Sequence, residues 1–290
     1  MSILNFLEAS PLAFILSLFA FGLIVGSFLN VVILRLPRMM ERDWRLQCCE
    51  LLEQQPQTAD QETISLVAPR SHCPRCKHLI RWYENIPVLS YLWLRGHCAS
   101  CREAISLRYP VIETSAGILA AICAWHFGFG LPALFATLFS WALLTLCMID
   151  YDTQYLPDDI TLPFLWLGIG VNMFGLFVPL HAAVLGAIGG YGILWLVFQA
   201  FRLLTGKEGM GYGDFKLLGM IGAWLGWSSL PIVIILASIV GASVGISLIL
   251  FGGHDRQKPI PFGPYLAAAG WIALIWGTDI TRAYLTWALV

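Results

Sequence analysis

Long apolar segments dominate the chain, and most polar residues lie in shorter stretches between them. A transmembrane helix needs ~20 mostly apolar residues, because the hydrocarbon core of a bilayer is ~30 Å thick. A membrane β-barrel would show ~10-residue segments of alternating polarity instead. Eight candidate spans are present, of which the sixth is short and rich in glycine: 12–34, 111–128, 131–149, 160–178, 181–204, 215–227, 229–251 and 262–288. The pattern predicts an all-α polytopic membrane protein with about eight transmembrane helices.

The composition agrees with this fold class. Of the 290 residues, 58% are hydrophobic and 12% are charged, whereas a soluble domain carries ~25% charged residues. The first apolar segment has no basic residue before it and is followed by Arg35, so it is interpreted as a retained span and not as a cleaved signal peptide. The formal net charge of −1 gives no indication of nucleic-acid binding.

The basic residues indicate the orientation in the membrane. Eleven of the 17 Lys and Arg residues lie in segment 35–110, and cytoplasmic loops carry an excess of such residues. We therefore place this segment in the cytoplasm and the N-terminus outside, so that only Arg282 lies near the opposite face. Three further loops are then cytoplasmic: 150–159, 205–214 and 252–261.

This orientation divides the chain into three predicted parts. Residues 1–34 form the first transmembrane helix, residues 35–110 a cytoplasmic domain, and residues 111–290 a seven-helix membrane domain. Asn30 is a polar residue within the first span, and its side chain is expected to bond to a neighbouring helix.

Two Cys-x-x-Cys pairs lie in the cytoplasmic domain, within HCPRCKH (72–78) and HCASC (97–101). Four thiolates at this spacing are typical of a tetrahedral structural zinc site. Disulfides are the alternative, but a cytoplasmic loop lies in a reducing compartment. A closed four-cysteine site leaves no position for a water, so the ion would hold the domain together without catalysing a reaction. The predicted zinc ligands are Cys73, Cys76, Cys98 and Cys101.

An aromatic stretch, RWYENIPVLSYLWLRG (81–96), separates the two cysteine pairs, and RYPVIE (108–113) follows them. Aromatic residues are common at membrane interfaces, so one interpretation is anchoring to the bilayer. The other is a surface that binds a substrate or cofactor, and the residues leave both open. Three histidines flank the pairs and are expected to be solvated or to support the ligands without binding metal: His72, His78 and His97.

The stretch GMGYGD (209–214) places Asp214 behind three glycines and directly before an apolar segment, where a carboxylate is costly to bury. A phosphate-binding P-loop is excluded because no Lys-Ser or Lys-Thr follows, and a dinucleotide site needs a sheet that this pattern does not predict. Asp214 is then either the N-cap of the next helix or half of a catalytic carboxylate pair. Gly211 and Gly213 would let the backbone approach an extended peptide closely.

A partner carboxylate is available in MIDYDTQYLPDDIT (148–161). Asp150 and Asp152 lie at the cytoplasmic end of the third apolar segment. Asp158 is expected to be solvated in the following turn, and Asp159 to cap the next helix. Two carboxylates held close together share a proton, so one can activate a water while the other acts as an acid.

These motifs, in this order, resemble the type IV prepilin peptidase family, the bifunctional leader peptidases and N-methyltransferases of pilus and type II secretion systems. The family shares a Gly-x-Gly-Asp signature with presenilin-like intramembrane aspartyl proteases. The resemblance implies that Asp150 and Asp214 are the catalytic pair, because the family's first aspartate lies seven residues before a Leu-Pro proline, here Pro157. On the residues alone, Asp152 remains a rival of Asp150. The resemblance covers nearly the whole chain and is carried by GSFLNVVILRLP, the paired Cys-x-x-Cys, ENIPVLSYL, RYPVIE, IDYDTQYLPDDITLP and GMGYGDFKLLGMIGAWLG.

The same resemblance implies an activity, its partners and its cofactors. It implies an aspartic endopeptidase of the inner membrane that removes a short basic leader from prepilins or pseudopilins, after a glycine and on the cytoplasmic side. The enzyme then N-methylates the new N-terminal residue with S-adenosylmethionine, and the four cysteines match the family's zinc-binding loop. Methyl transfer is assigned to residues 35–110 by elimination and family analogy. Glu84 is the candidate residue there, because a carboxylate could hold the new α-amino group or take its proton. The other interpretation is that Glu84 is a solvated loop residue or a local salt-bridge partner of Arg81.

An ion- or proton-coupled transporter is the alternative function, since acids within the membrane mark ion pathways. Asp150 and Asp214 would then form a path for ions. No inverted repeat of broken helices supports this hypothesis. A structural scaffold held by the zinc loop is a third hypothesis, and the oligomeric state is left open.

Overall fold

The computed structural model describes residues 3–54, 64–207, 209–251 and 261–288. The predicted all-α class is confirmed for these residues, in which two isolated β-bridges are the only strand-like pairing. The predicted cytoplasmic loop 252–261 lies almost wholly outside the described residues, with its Arg256 and Lys258. The α-helices in the described ranges are α1 (Ile3–Ala9), α2 (Pro11–Leu51), α3 (Leu89–Trp93), α4 (Arg108–Phe127), α5 (Leu131–Thr153), α6 (Asp158–Asn172), α7 (Leu180–Thr205), α8 (Tyr212–Leu225), α9 (Leu230–Phe251) and α10 (Gly263–Ala288).

Each predicted apolar segment coincides with one helix, namely α2 or one of α4 to α10. Five spans within the described residues are long and apolar enough to cross a membrane: α2, α4, α5, α7 and Trp227–Leu248. Helices α6 and α8 have 15 and 14 residues, which corresponds to roughly 21–23 Å against a hydrocarbon core of ~30 Å. The count of eight spans therefore stays a prediction, whereas a polytopic helical membrane protein is confirmed.

Helix α2 continues well beyond the predicted end of the first span at residue 34. It runs from Pro11 to Leu51 without interruption, although it contains Pro37. The segment after Arg35 is polar but rich in strong helix formers, namely Met, Glu, Arg and Leu. A helix of 41 residues is ~60 Å long, about twice the thickness of the hydrocarbon core. The predicted boundary thus marks a change of polarity and not the end of the helix.

Contacts divide the chain into two compact units, residues 1–129 and 130–290. The first unit contains α1 to α4 and the two cysteine pairs, and the second contains α5 to α10. The three parts predicted from the sequence differ from these units, because they are defined by polarity and not by packing. The division into 1–34, 35–110 and 111–290 therefore stays a prediction.

Helices α2 and α4 pack closely in the first unit. An added Cβ at Gly26 would lie 2.7 Å from Cα of Glu113, so only glycine fits at this crossing. The predicted interhelical bond of Asn30 is present, because its Nδ2 donates to the carbonyl of Tyr109 in α4 and to that of Gly26 in α2, both at 3.2 Å. A buried amide with two acceptors holds the helix pair in register.

Glycines also bring α7 and α8 together in the second unit. An added Cβ at Gly186 would lie 2.2 Å from the carbonyl oxygen of Gly222, and one at Gly222 would lie 2.1 Å from that of Gly186. No larger residue fits without moving the backbone, as is typical of helix crossings in membranes. This crossing fixes the position of α8, which carries Asp214 in its first turn.

Trp224 forms the centre of the core of the second unit. Its indole stacks on the ring of Phe139 in α5 with centroids 4.6 Å apart, and its Nε1 donates to the carbonyl of Phe164 in α6 at 2.7 Å. Asn172 at the end of α6 donates to the carbonyl of Ala223 at 2.9 Å. Buried polar groups with partners of this kind cost little. The contacts join α5, α6 and α8, which flank the acidic residues.

Candidate active site and metal centre

Two buried carboxylates lie at one end of the second unit. Asp150 is in the last turn of α5 and Asp214 is in the first turn of α8, and their exposed fractions are only 5% and 8%. The negative charge of Asp150 acts on Asp214, so the two groups lie within electrostatic reach of each other. Asp152, the rival of Asp150 on sequence, is exposed on the same helix. The structure thus brings Asp150 together with Asp214 in a buried environment.

Two helix N-termini meet the carboxylate pair. Gly263, the first residue of α10, donates its backbone N–H to Oδ2 of Asp150 at 3.0 Å in a buried hydrogen bond. The backbone N–H of Asp214 donates to the carbonyl of Gly211 at 3.3 Å, which holds Asp214 in the first turn of α8. Helix N-termini carry partial positive charge, so α8 and α10 offset part of the cost of burying negative charge. Asp150 depends on this compensation because it lies at the C-terminal end of its own helix, where the dipole disfavours an anion.

Gly263 is a site residue that the sequence pattern did not reveal. An added Cβ would lie 2.6 Å from Oδ2 of Asp150, so a larger residue cannot be accommodated without movement of that carboxylate. The stretch PFGPY (261–265) does carry a signal, because proline near a glycine marks the start of a helix. Nothing in this signal points to Asp150, which lies 113 residues earlier.

The two glycines before Asp214 have different surroundings. An added Cβ at Gly213 would lie 2.8 Å from Cβ of Leu156, so the close approach there is to a loop of the chain itself. An added Cβ at Gly211 would have its nearest neighbour, N of Gly213, at 4.0 Å. Gly211 is also exposed. Of the two, Gly211 therefore has the space that an approaching peptide needs.

The capping roles predicted for two of the acids are wrong. The N-cap residue of α8 is Gly211, and Asp214 lies three positions later, inside the first turn. The N-cap residue of α6 is Pro157, and Asp159 lies within that helix. N-cap residues are assigned in sequence by the nearest Asp, Asn, Ser or Thr, whereas here Gly211 and Pro157 lie at the two boundaries with an extended backbone.

An ion pair joins the first residue of α6 to the N-terminal part of α8. Nζ of Lys216 lies 2.7 Å from each carboxylate oxygen of Asp158. The side chain of Asp158 is 50% exposed, so the prediction of a solvated residue is only partly right. The sequence gives no indication of this pair, because its members lie 58 positions apart.

The four cysteines of the two pairs converge in the first unit. All four sulfurs lie within 4.8 Å of one another, with 3.8 Å between Sγ of Cys73 and Cys101 and 3.9 Å between Sγ of Cys76 and Cys98. Four sulfurs that each lie ~2.3 Å from one zinc ion would be ~3.8 Å apart in a tetrahedron. The cluster therefore suits a metal ion with four thiolate ligands, and it includes no histidine among the described residues.

The two cysteine pairs adopt the same local fold. The N–H of the first cysteine donates to the carbonyl five residues later, at 2.9 Å in the first pair and 2.8 Å in the second. The residue after the second cysteine has a φ of +57° in both turns, at Lys77 and Arg102. His72 and His97 contact nearby backbone carbonyls through Nδ1, as expected for residues that do not bind the metal. Each turn thus presents two sulfurs in a fixed geometry.

The pKa values of two of the cysteines also indicate that the cluster binds a cation. Backbone hydrogen bonds from Cys76 and Arg75 lower the pKa of Cys73 to about 6. The pKa of Cys101 is raised to about 12, because desolvation and the neighbouring sulfurs outweigh a backbone hydrogen bond with Glu103. One thiolate therefore opposes the formation of another. A divalent cation removes this conflict, since it stabilises all four thiolates at once.

Glu84, the candidate for methyl transfer, lies in the short 3-10 turn Trp82–Asn85. One of its carboxylate oxygens accepts the backbone N–H of Arg81 at 3.0 Å and lies 3.2 Å from Nε2 of His78. The bond from the Arg81 backbone, with a smaller contribution from His78, lowers the pKa of Glu84. The guanidinium of Arg81 donates to the hydroxyl of Tyr83 at 2.6 Å. Glu84 thus links its turn to the first cysteine pair.

Glu113 is a buried acid whose importance the sequence pattern did not reveal. Its exposed fraction is 8%, and its Oε2 accepts the backbone N–H of Val88 at 2.8 Å. Val88 has a φ of +60°, which a β-branched residue rarely adopts. The bond fastens the aromatic stretch to α4. Trp82 and Trp93 in that stretch remain exposed, so membrane anchoring and ligand binding both stay open.

Comparison with known proteins follows the division into two units. Residues 20–127 match the bacterial peptidase A24 N-terminal domain, and residues 137–246 match the type IV leader peptidase family. The chain is 54% identical to the prepilin leader peptidase/N-methyltransferase of Pseudomonas aeruginosa over 99% of both chains. The chain belongs to the type IV leader peptidase family. This confirms the resemblance inferred from the motifs.

Other members of the family with the same name are similar over most of their length. The protein of Aeromonas hydrophila is 51% identical over 98% of both chains, and that of Neisseria gonorrhoeae is 46% identical over 96% of this chain and 94% of its own. No solved structure matches the chain. The transporter hypothesis finds no support in these relatives.

The contact between Gly263 and Asp150 predicts that Gly263→Ala lowers peptidase activity by up to about 10²-fold, because the new Cβ would lie 2.6 Å from Oδ2 of Asp150 and would push this carboxylate out of place, and a misplacement of ~1 Å at a reacting group costs about that much. Gly277→Ala is the matched control in the same helix, since an added Cβ there has its nearest neighbour at 3.7 Å. Initial rates of the purified variants in detergent provide the measurement. Equal rates for both variants would show that Asp150 does not depend on this contact.

Proposed function

We propose that this chain removes the leader peptide of type IV prepilins or pseudopilins after a glycine and then N-methylates the new N-terminal residue. The full-length similarity to enzymes named for both activities supports both halves of the proposal. The observation that carries the peptidase half is the buried pair of Asp150 and Asp214, with no comparable pair of buried acids elsewhere among the described residues of the second unit.

Asp150 and Asp214 supply the base and the acid of hydrolysis. Buried carboxylates that lie near each other share a proton, because both cannot ionise at once. The ionised carboxylate takes a proton from a water as this water attacks the scissile carbonyl carbon. The protonated carboxylate donates to the carbonyl oxygen, and the departing amine then receives a proton from the pair. The N–H of Gly263 stabilises the charge that remains on the pair.

The substrate enters this site from the membrane. Asp150 and Asp214 each lie at the end of an apolar helix, so a leader attached to a substrate's own membrane helix would reach them. The excess of Lys and Arg in the loops at this end of the helices supports a cytoplasmic position for the site of this multi-pass inner-membrane enzyme. Gly211 provides the open space for the extended backbone of the substrate.

Zinc is the metal of the four-cysteine cluster. Thiolates select zinc over the hard cations Ca²⁺ and Mg²⁺, and four of them complete its tetrahedral shell. The ion therefore stabilises the fold of the loop and leaves hydrolysis to the carboxylates. Its ligands are Cys73, Cys76, Cys98 and Cys101.

Methyl transfer takes place at the domain formed by residues 35–110, and S-adenosylmethionine supplies the methyl group. The lowered pKa of Glu84 makes this carboxylate a weak base but keeps it ionised. Glu84 therefore holds the α-amino group as an ion pair and does not remove its proton. The bonds of Glu84 to Arg81 and His78 support a structural role as well.

Asp150→Asn and Asp214→Asn are each expected to reduce cleavage of a prepilin by more than about 10³-fold, because each removes one member of the acid–base pair but preserves its shape. Asp152→Asn is the matched control, since this acid is two residues away but exposed. Cleavage is measured by the mass of the product. Full activity in either of the first two variants would contradict an aspartyl mechanism, and loss in Asp152→Asn alone would reassign the first acid.

Purified, reduced protein is expected to contain about one zinc ion per chain. Cys73→Ser or Cys98→Ser should lower the zinc content and destabilise the loop, because metal binding contributes to folding of such sites. Cys48→Ser is the control, as Cys48 is not part of the cluster. Elemental analysis provides the measurement, and intact protein without zinc would refute the assignment.

Glu84→Gln is expected to reduce methylation of a processed, unmethylated pilin peptide by about tenfold or more, because the neutral amide no longer pairs with the α-ammonium group. Leader cleavage and zinc content serve as controls for folding and should be unchanged. Normal methylation by this variant would exclude Glu84 from the site. Parallel loss of zinc, cleavage and methylation would show that Glu84 has only a structural role.

A further inference from the structure

The members of the ion pair of Asp158 and Lys216 follow closely after the two catalytic aspartates along the chain. The proposed hydrolysis does not use this pair. Asp158 lies eight residues after Asp150, and Lys216 lies two residues after Asp214. Both carboxylate oxygens of Asp158 lie 2.7 Å from Nζ of Lys216. The pair therefore joins the two segments that carry the catalytic carboxylates, within a few residues of each carboxylate along the chain.

A second contact crosses between the same two segments. Gly213, directly before Asp214, lies against Leu156, as an added Cβ would be 2.8 Å from Cβ of that side chain. Leu156 belongs to the loop 154–157, which has only four residues between α5 and α6. One apolar contact and one ionic contact thus hold this short loop and the start of α6 against the start of α8.

The opposite end of α8 is fixed in a different way. Trp224 stacks on Phe139 of α5 and bonds to α6, but it lies ten residues after Asp214, a distance of ~15 Å along a helix. That contact restrains the far end of the helix more than its first turn. At the carboxylate end, the pair of Asp158 and Lys216 supplies the charged connection between α6 and α8.

We propose that Asp158 and Lys216 form a clamp that sets the separation of Asp150 and Asp214. They act as positioning residues and do not touch the reacting atoms. Because α5 and α6 are joined by only four residues, a shift of Asp158 relative to Lys216 is transmitted to the end of α5 and alters the geometry of the carboxylate pair. This inference rests on the proposed peptidase function.

The size of the expected effect separates positioning from simple stabilisation. A partly exposed ion pair contributes little to the stability of a fold, so a purely structural pair would leave the rate almost unchanged. Misplacement of a catalytic group by ~1 Å costs about 10²-fold in rate. Loss of the clamp should therefore lower kcat by about 10- to 10²-fold, with KM unchanged within about twofold, since substrate binding is not affected.

A double-mutant cycle on the full-length enzyme tests the clamp. Asp158→Asn and Lys216→Met should each lower kcat for prepilin cleavage as stated, and the double variant should be no worse than either single variant, because both remove the same interaction. Lys216→Arg keeps the charge and should retain most of the rate. Asp159→Asn, in the same turn, is the matched control and should cleave at the wild-type rate.

Three results would overturn the clamp. Wild-type kcat in both single variants would show that the pair does not position the acids. Additive losses in the double variant would show that the two residues act separately. If the single variants lose activity only because their thermal stability falls, the pair stabilises the fold and does not position the acids. Activity in Asp150→Asn, measured in parallel, would instead refute the proposed function, so the two failures are distinguishable.

Discussion

The second unit depends on one constraint, which is the burial of negative charge at the end of an apolar helix bundle. An isolated carboxylate is costly to remove from water, and Asp150 lies at the C-terminal end of its own helix, where the dipole adds to the cost. The N-terminus of α10 compensates through Gly263, and the first turn of α8 carries Asp214. Three helix ends must therefore lie at the same level, which agrees with the short loop between α5 and α6 and with the close contacts of Gly213 and Gly263.

The first unit stabilises negative charge by a different means. Its four sulfurs oppose one another as thiolates unless a cation is bound, and two matching turns hold them at the spacing of a tetrahedral site. The site gives a rigid centre to a loop that has little apolar core of its own. Glu84 is attached to this centre through His78, and Glu113 attaches the following turn to α4. We assign hydrolysis to the buried carboxylates of the second unit and methyl transfer to the domain that contains the four-cysteine site of the first.

The sequence predicts most of the helices, because a long apolar segment that crosses a membrane must form a helix to satisfy its backbone hydrogen bonds. It does not predict the end of α2, where polarity changes at residue 34 but helix propensity does not. Asp150 and Asp152 lie two residues apart in the last turn of α5, so only their burial in three dimensions distinguishes them. The contact of Gly263 with Asp150 joins residues that are far apart along the chain, and no local pattern encodes such a contact.

The central claim, that one chain performs both reactions, is tested most directly on the product. Purified wild-type protein is incubated in detergent with a prepilin and S-adenosylmethionine, so that no membrane potential is present, and the mass of the mature N-terminus is determined. The account predicts a pilin cut after the glycine of its leader that carries one additional methyl group on the new N-terminus. An intact prepilin, from enzyme that is folded and loaded with metal, would contradict it.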